Sequence, residues 1–153
     1  MEHEITVVDL SEQPTAVVRD RAVPATIPDV LGRAFEAVAR VATDQGRLLA
    51  GPPFARYRTM DEAAWDIEAG FPVDAPVVAD GDVEPATLPA CRAARLVHTG
   101  PYDTIGGAWN EASAWLVEHG YAATDAPWES YLDEPGVEQP RTLIVMPCEP
   151  ARR

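Results

Sequence analysis

Residues 128–133 read WESYLD, and residues 54–59 read FARYRT. Phe54-Ala55-Arg56-Tyr57 falls on Trp128-Glu129-Ser130-Tyr131, and both stretches read as short strands. An amphipathic helix pattern precedes each of them. The first opens at Ile27-Pro28-Asp29, where proline fits the first turn and the acid suits the positive helix end. Its stripe is Val30, Leu31, Ala34, Phe35, Val38, Val41 and Ala42, and Gly46 stops it. The second begins at Gly100-Pro101-Tyr102-Asp103, carries Ile105, Ala108, Trp109, Ala112, Trp115 and Leu116, and stops at Gly120. Strand patterns lie outside these helices, at 4–10, 15–21 and 64–71 in one half and at 83–88, 91–98 and 141–148 in the other. Each half thus reads strand, helix, strand, strand. The expected fold is α+β, a tandem pair of βαββ modules (about 1–74 and 82–150) with pseudo-twofold symmetry and a groove between them. Residues 72–82, PVDAPVVADGD, read as the internal linker.

Composition narrows the function. The chain has 153 residues, 46% hydrophobic and 24% charged, within the globular range. No apolar run reaches the ~20 residues needed to span a bilayer. The start, Met1-Glu2-His3-Glu4, lacks a basic leader region, so a cytoplasmic location is expected. Twenty-five acids face 12 bases, a net charge of −13, and every base is Arg. That balance argues against nucleic acid and against anionic membranes as partners. Cys91 and Cys148 are too few and too far apart for a zinc or redox motif. Ser11, Ser113 and Ser130 are the only serines, with no nucleophile elbow around them. No His pair has metal-ligand spacing and no glycine-rich phosphate loop is present, so neither metal nor cofactor is expected.

Several stretches together resemble the GyrI-like small-molecule-binding family. They are Gly51-Pro52-Pro53-Phe54-Ala55-Arg56-Tyr57, Asp66-Ile67-Glu68-Ala69-Gly70-Phe71-Pro72-Val73, Leu88-Pro89-Ala90-Cys91-Arg92-Ala93, His98-Thr99-Gly100-Pro101-Tyr102-Asp103 and Trp128-Glu129-Ser130-Tyr131. They stand in the family's order and cover nearly the whole chain. The family provides the effector-binding domain of multidrug-responsive transcription regulators and also occurs as stand-alone proteins. The resemblance implies a ligand cleft between two βαββ modules, with Glu129 at the position of the family's cleft carboxylate. Cys91 stands where the family usually has Gly. No helix-turn-helix segment is present, so a lone ligand-binding domain is expected.

The residues support that chemistry on their own terms. Glu129 and Tyr131 are two apart on a strand and share a face. Tyr57 occupies the matching position in the other half, and Trp65, Tyr102 and Trp109 add aromatic walls. Rings plus one carboxylate suit amphipathic, aromatic or cationic molecules, through dispersion, cation–π attraction and a charge strengthened by exclusion of water. Glu68, alternating with Asp66, is a second candidate carboxylate; a solvated strand face explains it equally well. The expected ligand-binding set is Tyr57, Trp65, Glu68, Tyr102, Trp109, Glu129 and Tyr131. His98 reads as a core or capping residue, and His3 and His119 as exposed.

The resemblance implies two further functions. Some family members are hydrolases that open cyclopropane rings of DNA-alkylating natural products; here Glu129 would be the base, with Tyr131 beside it. The family's name also points to a DNA gyrase inhibitor. Binder and hydrolase use the same carboxylate, so both stay open on sequence.

Overall fold

The computed structural model describes residues 4–101, 104–133 and 136–151. Their elements are β1 (Thr6–Leu10), β2 (Gln13–Ala22), α1 (Ile27–Asp44), β3 (Phe54–Met60), β4 (Trp65–Pro72), β5 (Val83–Leu88), β6 (Cys91–Thr99), α2 (Ile105–Glu118), β7 (Tyr121–Ala123), β8 (Trp128–Tyr131) and β9 (Arg141–Pro150). The chain forms two compact units, a central one of Glu12–Pro89 and a terminal one of Met1–Ser11 with Ala90–Arg153. No helix among the described residues is long and apolar enough to cross a membrane.

The central unit is an antiparallel sheet in the order β3-β4-β2-β5. Helix α1 covers one face. Val38, Val41 and Ala42 pack with Ala16 and Val83, and Phe35 meets Phe71 edge-on with ring centroids 5.8 Å apart. Side chains alternate along a strand. Ala55, paired with Ala69, and Tyr57, paired with Ile67, therefore also face the helix. Gly70 is required by a close approach: a Cβ there would lie 1.9 Å from the Ala16 carbonyl oxygen.

Residues 72–82, expected as a linker, are packed into this unit. Val73 and Val77 are buried in the α1 core. Gln45 clamps Val78 with a bond in each direction, both 2.8 Å, and Asp74 accepts from the Leu48 N–H at 2.9 Å. The prolines and acids of this stretch point to a linker; two of its three valines, Val73 and Val77, are buried and decide its fate.

The terminal unit has the order β1-β6-β9-β8, again antiparallel, with β7 on the far end of β9. Helix α2 lays Ala108 and Ala112 on Leu96 and Ile144, and Leu116 on Ala94 and Cys148. Burial pushes the Cys148 thiol above its ordinary value, which leaves it an unreactive core group. Gly120, at φ +78°, takes the left-handed conformation that stops α2. The two units share a strand order, β3-β4-β2-β5 against β8-β9-β6-β1. The helix and the three strands around it are consecutive in each. The outer strand is not: β5 precedes β6 in the chain but pairs with β2, and β1 precedes β2 but pairs with β6.

Candidate functional site

The terminal unit gathers three of the sequence-predicted residues around one carboxylate. Glu129 pairs with Ile144 across β8 and β9, and Tyr131 pairs with Thr142. Ile144 packs against α2, so this face of β8 looks toward the helix. Trp109 packs on the same cluster from α2. Its indole Nε1–H donates to Glu129 Oε2 at 2.5 Å, and the Tyr131 hydroxyl donates to Oε1 at 2.9 Å. Glu129 is only 5% exposed. Both donors are neutral, so these two bonds orient the carboxylate without cancelling its charge.

Strand β8 is held in register from its open end. Asp133 accepts from the Arg141 backbone N–H at 2.9 Å and from Nε at 3.0 Å on one oxygen, and from Nη2 at 2.9 Å on the other. The Leu132 N–H donates to the Arg141 carbonyl at 3.0 Å. The Arg141 guanidinium holds the Asp133 carboxyl below its ordinary value of 3.8. The clasp lies two residues beyond Tyr131, so it fixes where Glu129 and Tyr131 sit against β9.

The start of α2 is tied to the sheet by His98. The Thr104 hydroxyl donates to the Pro101 carbonyl at 2.8 Å, so it accepts from His98 Nε2–H at 3.0 Å. His98 is buried and bonded to Thr104, and it caps no helix end. The adjacent Gly106 and Gly107 are exposed, and a Cβ at either would meet nothing within 4 Å. They have no packing reason, and each weakens this turn by ~1 kcal/mol relative to Ala.

The other predicted residues lie elsewhere. In the central unit Tyr57 and Trp65 meet edge to face, with centroids 5.8 Å apart and planes at 89°. Both are on the helix-facing side. Glu68 is on the opposite side of that sheet and is buried. It accepts from Arg19 Nε at 3.0 Å and lies 3.6 Å from Arg58 Nη1. Arg19 also bonds Glu84. The Glu68 hydrogen bond holds the Arg19 guanidinium above its ordinary value. A shallow recess of about 290 Å³ is lined by Arg19, Asp20, Arg58, Asp66, Ile67 and Glu68. Its guanidinium groups are already paired with its carboxylates, so it suits a lipophilic cation poorly. Tyr102 lies outside the described residues. Nothing in the sequence singles out Thr142; only strand register places it beside Tyr131.

Among the described residues no group of three or more His, Cys, Asp or Glu side chains forms a metal-binding cluster.

A helix laid on an antiparallel sheet in each unit makes this an α+β fold. Residues 3–149 match the family described as the GyrI-like small molecule binding domain, and the chain belongs to that family. Solved structures share the fold. The EcmrR C-terminal domain aligns with a TM-score of 0.86 at 20% identity, covering 99% of this chain and 100% of that one. A hydrolase from Listeria innocua aligns with a TM-score of 0.66 at 16% identity, over 95% and 92% of the two chains. SAV2435 bound to tetraphenylphosphonium aligns with a TM-score of 0.62 at 14% identity, over 97% and 94%. A comparison with curated proteins found none that matches.

Proposed function

We propose that this chain binds amphipathic cationic or aromatic small molecules, with Glu129 as the charged anchor. The observation that carries this reading is the buried Glu129 carboxylate held through both oxygens by Trp109 and Tyr131. A fixed anion in a water-poor site attracts a cation strongly: at 4 Å the interaction is about 4 kcal/mol for an effective dielectric of 20. The rings of Trp109 and Tyr131 add apolar surface and cation–π attraction with little demand on ligand shape. The family's description supports small-molecule binding, and the tetraphenylphosphonium complex of SAV2435 supports a lipophilic cation as the ligand class. Entry requires the cover to open, and the glycine-weakened first turn of α2 is the cheapest place to open it.

The bond from Tyr131 to Glu129 and the Listeria hydrolase neighbour favour a second reading, hydrolysis of a strained cyclopropane ring. Water would add to a ring carbon while Glu129 takes its proton. The ring C–C bond would break, with its electron pair passing into a conjugated carbonyl system that is then protonated. The product is the substrate plus one water.

Both readings are tested on one pair of proteins. Tetraphenylphosphonium should quench the tryptophan fluorescence of the wild type saturably, and Glu129→Gln should bind it at least ~10-fold more weakly, a difference of ~1.4 kcal/mol. Mass spectrometry of a cyclopropane-bearing alkylator decides the second reading. A gain of one water with wild type and not with Glu129→Gln makes the chain an enzyme; intact compound leaves it a binder.

A further inference from the structure

Beside the carboxylate lies a second polar point that neither reading uses. Strand pairing puts His98, Thr142 and Tyr131 in one row across β6, β9 and β8. The next row is Leu96, Ile144 and Glu129, on the side that packs against α2. Thr142 is therefore a diagonal neighbour of Glu129, about 7–8 Å away between Cα atoms. It is 0% exposed, and its hydroxyl has no hydrogen-bond partner among the described residues. Both flanking groups are engaged elsewhere. The Tyr131 hydroxyl donates to Glu129, and His98 Nε2–H donates to Thr104. A buried hydroxyl without a partner is costly, and such groups in native proteins call for a specific explanation.

We infer that Thr142 Oγ1 is a specificity anchor, pairing with a hydroxyl or carbonyl oxygen on a ligand whose cationic or aromatic body sits at Glu129. This rests on the binding reading above and narrows its ligand class. The preferred ligand carries an oxygen function a few ångströms from its charge centre; a bare lipophilic cation uses only half the site. The hydroxyl can both donate and accept, so either oxygen type fits. A ligand with the oxygen gains a hydrogen bond that one without it lacks, because the hydroxyl is already unpaired in the free protein.

A matched pair of probes tests this: tetraphenylphosphonium and (4-hydroxyphenyl)triphenylphosphonium, which differ by one hydroxyl. Binding is measured by calorimetry to wild type, Thr142→Val and Thr142→Ser. The wild type is expected to prefer the hydroxylated cation by roughly 5- to 10-fold, the scale of one hydrogen bond. Thr142→Val should abolish that preference, leave the affinity for the parent cation unchanged and keep or raise the melting temperature. Thr142→Ser should retain the preference. Three outcomes overturn the anchor while sparing Glu129: no preference in the wild type, a preference that survives Thr142→Val, or an equal weakening of both probes with a lowered melting temperature. If neither cation binds the wild type, the binding reading falls and the anchor falls with it.

Discussion

In the central unit Ala55 and Tyr57 lie on the side of the sheet that α1 packs against, with Phe35 as that helix's aromatic contact on the sheet; in the terminal unit Glu129 and Tyr131 lie on the side that α2 packs against, with Trp109 in that role. The residue numbers differ by the same step each time, 74 for 109 and 35, for 129 and 55, and for 131 and 57. The strand order is shared, and so is the tyrosine. Two substitutions separate a plain core from the proposed site: a carboxylate in place of a methyl group, and an indole N–H in place of a phenyl edge. A buried carboxylate is tolerated only where donors meet it. Trp109 is therefore as much a part of the proposed site as Glu129.

The sharpest way to break this comparison is to move the charge to the other unit. Ala55→Glu puts a carboxylate at a 0% exposed position, where Tyr57 stands as Tyr131 does to Glu129 but Phe35 offers no second donor. It should destabilise the protein by roughly 3 kcal/mol or more, the upper scale for a buried charged group left short of a donor, as read by urea unfolding. If it unfolds like the wild type, the donors around Glu129 matter less than argued.

Next in size is Trp109→Phe, which makes α2 resemble α1. Loss of a hydrogen bond to a charged group should cost about 1.5–3 kcal/mol and weaken binding of tetraphenylphosphonium. Trp109→Phe in a Glu129→Gln background should cost less, because the charge it serves is gone; equal costs in both backgrounds would uncouple the two residues.

Gly106→Ala and Gly107→Ala fill open space on an exposed helix turn. Each should stabilise the fold by ~0.5–1 kcal/mol. If this turn is the entry route, the double variant should also slow association of the cation in stopped-flow fluorescence, with its dissociation constant little changed. Stability without slower association would place the entry elsewhere.

The smallest effect concerns the clasp that holds β8. Asp133 is held below its ordinary value by Arg141, so its contribution is complete above the unfolded value of 3.8 and is lost as pH falls through its lower folded value. Asp133→Asn should therefore melt below the wild type at pH 7 and at pH 5. The two curves should converge as pH falls through that lower folded value. A gap that persists in acid would mean that the clasp acts through shape and not charge.

Much of this architecture is legible in the sequence. The apolar period from Ile27 to Gly46 and from Gly100-Pro101-Tyr102-Asp103 to about His119 places both helices, the second beginning at Ile105 in the structure, and the superposition of FARY on WESY places the repeated strands. Alternation puts Glu129 and Tyr131 on one face, where the hydrogen bond between them is found. Other features lie outside any local pattern. Strand β7 has three residues, too few for a period to show. The pairing of β5 with β2 and of β1 with β6 is a choice among distant partners, and an alternating strand reads the same whichever partner it takes. Glu68 and Glu129 look alike as strand carboxylates. The guanidinium of Arg19 against one, and the indole of Trp109 against the other, come from segments 49 and 20 residues away. Thr142 shows the limit most plainly, since its importance lies only in which residues flank it across the sheet.

The most direct test of the site is its charge selectivity. Calorimetry would compare tetraphenylphosphonium with neutral triphenylphosphine oxide on wild type and Glu129→Gln. If the buried carboxylate is the anchor, the substitution weakens the cation by at least ~10-fold and leaves the neutral compound unchanged, a charge-specific loss of ~1.4 kcal/mol or more. Equal cation affinity in the two proteins, or the same loss for both compounds, would contradict it.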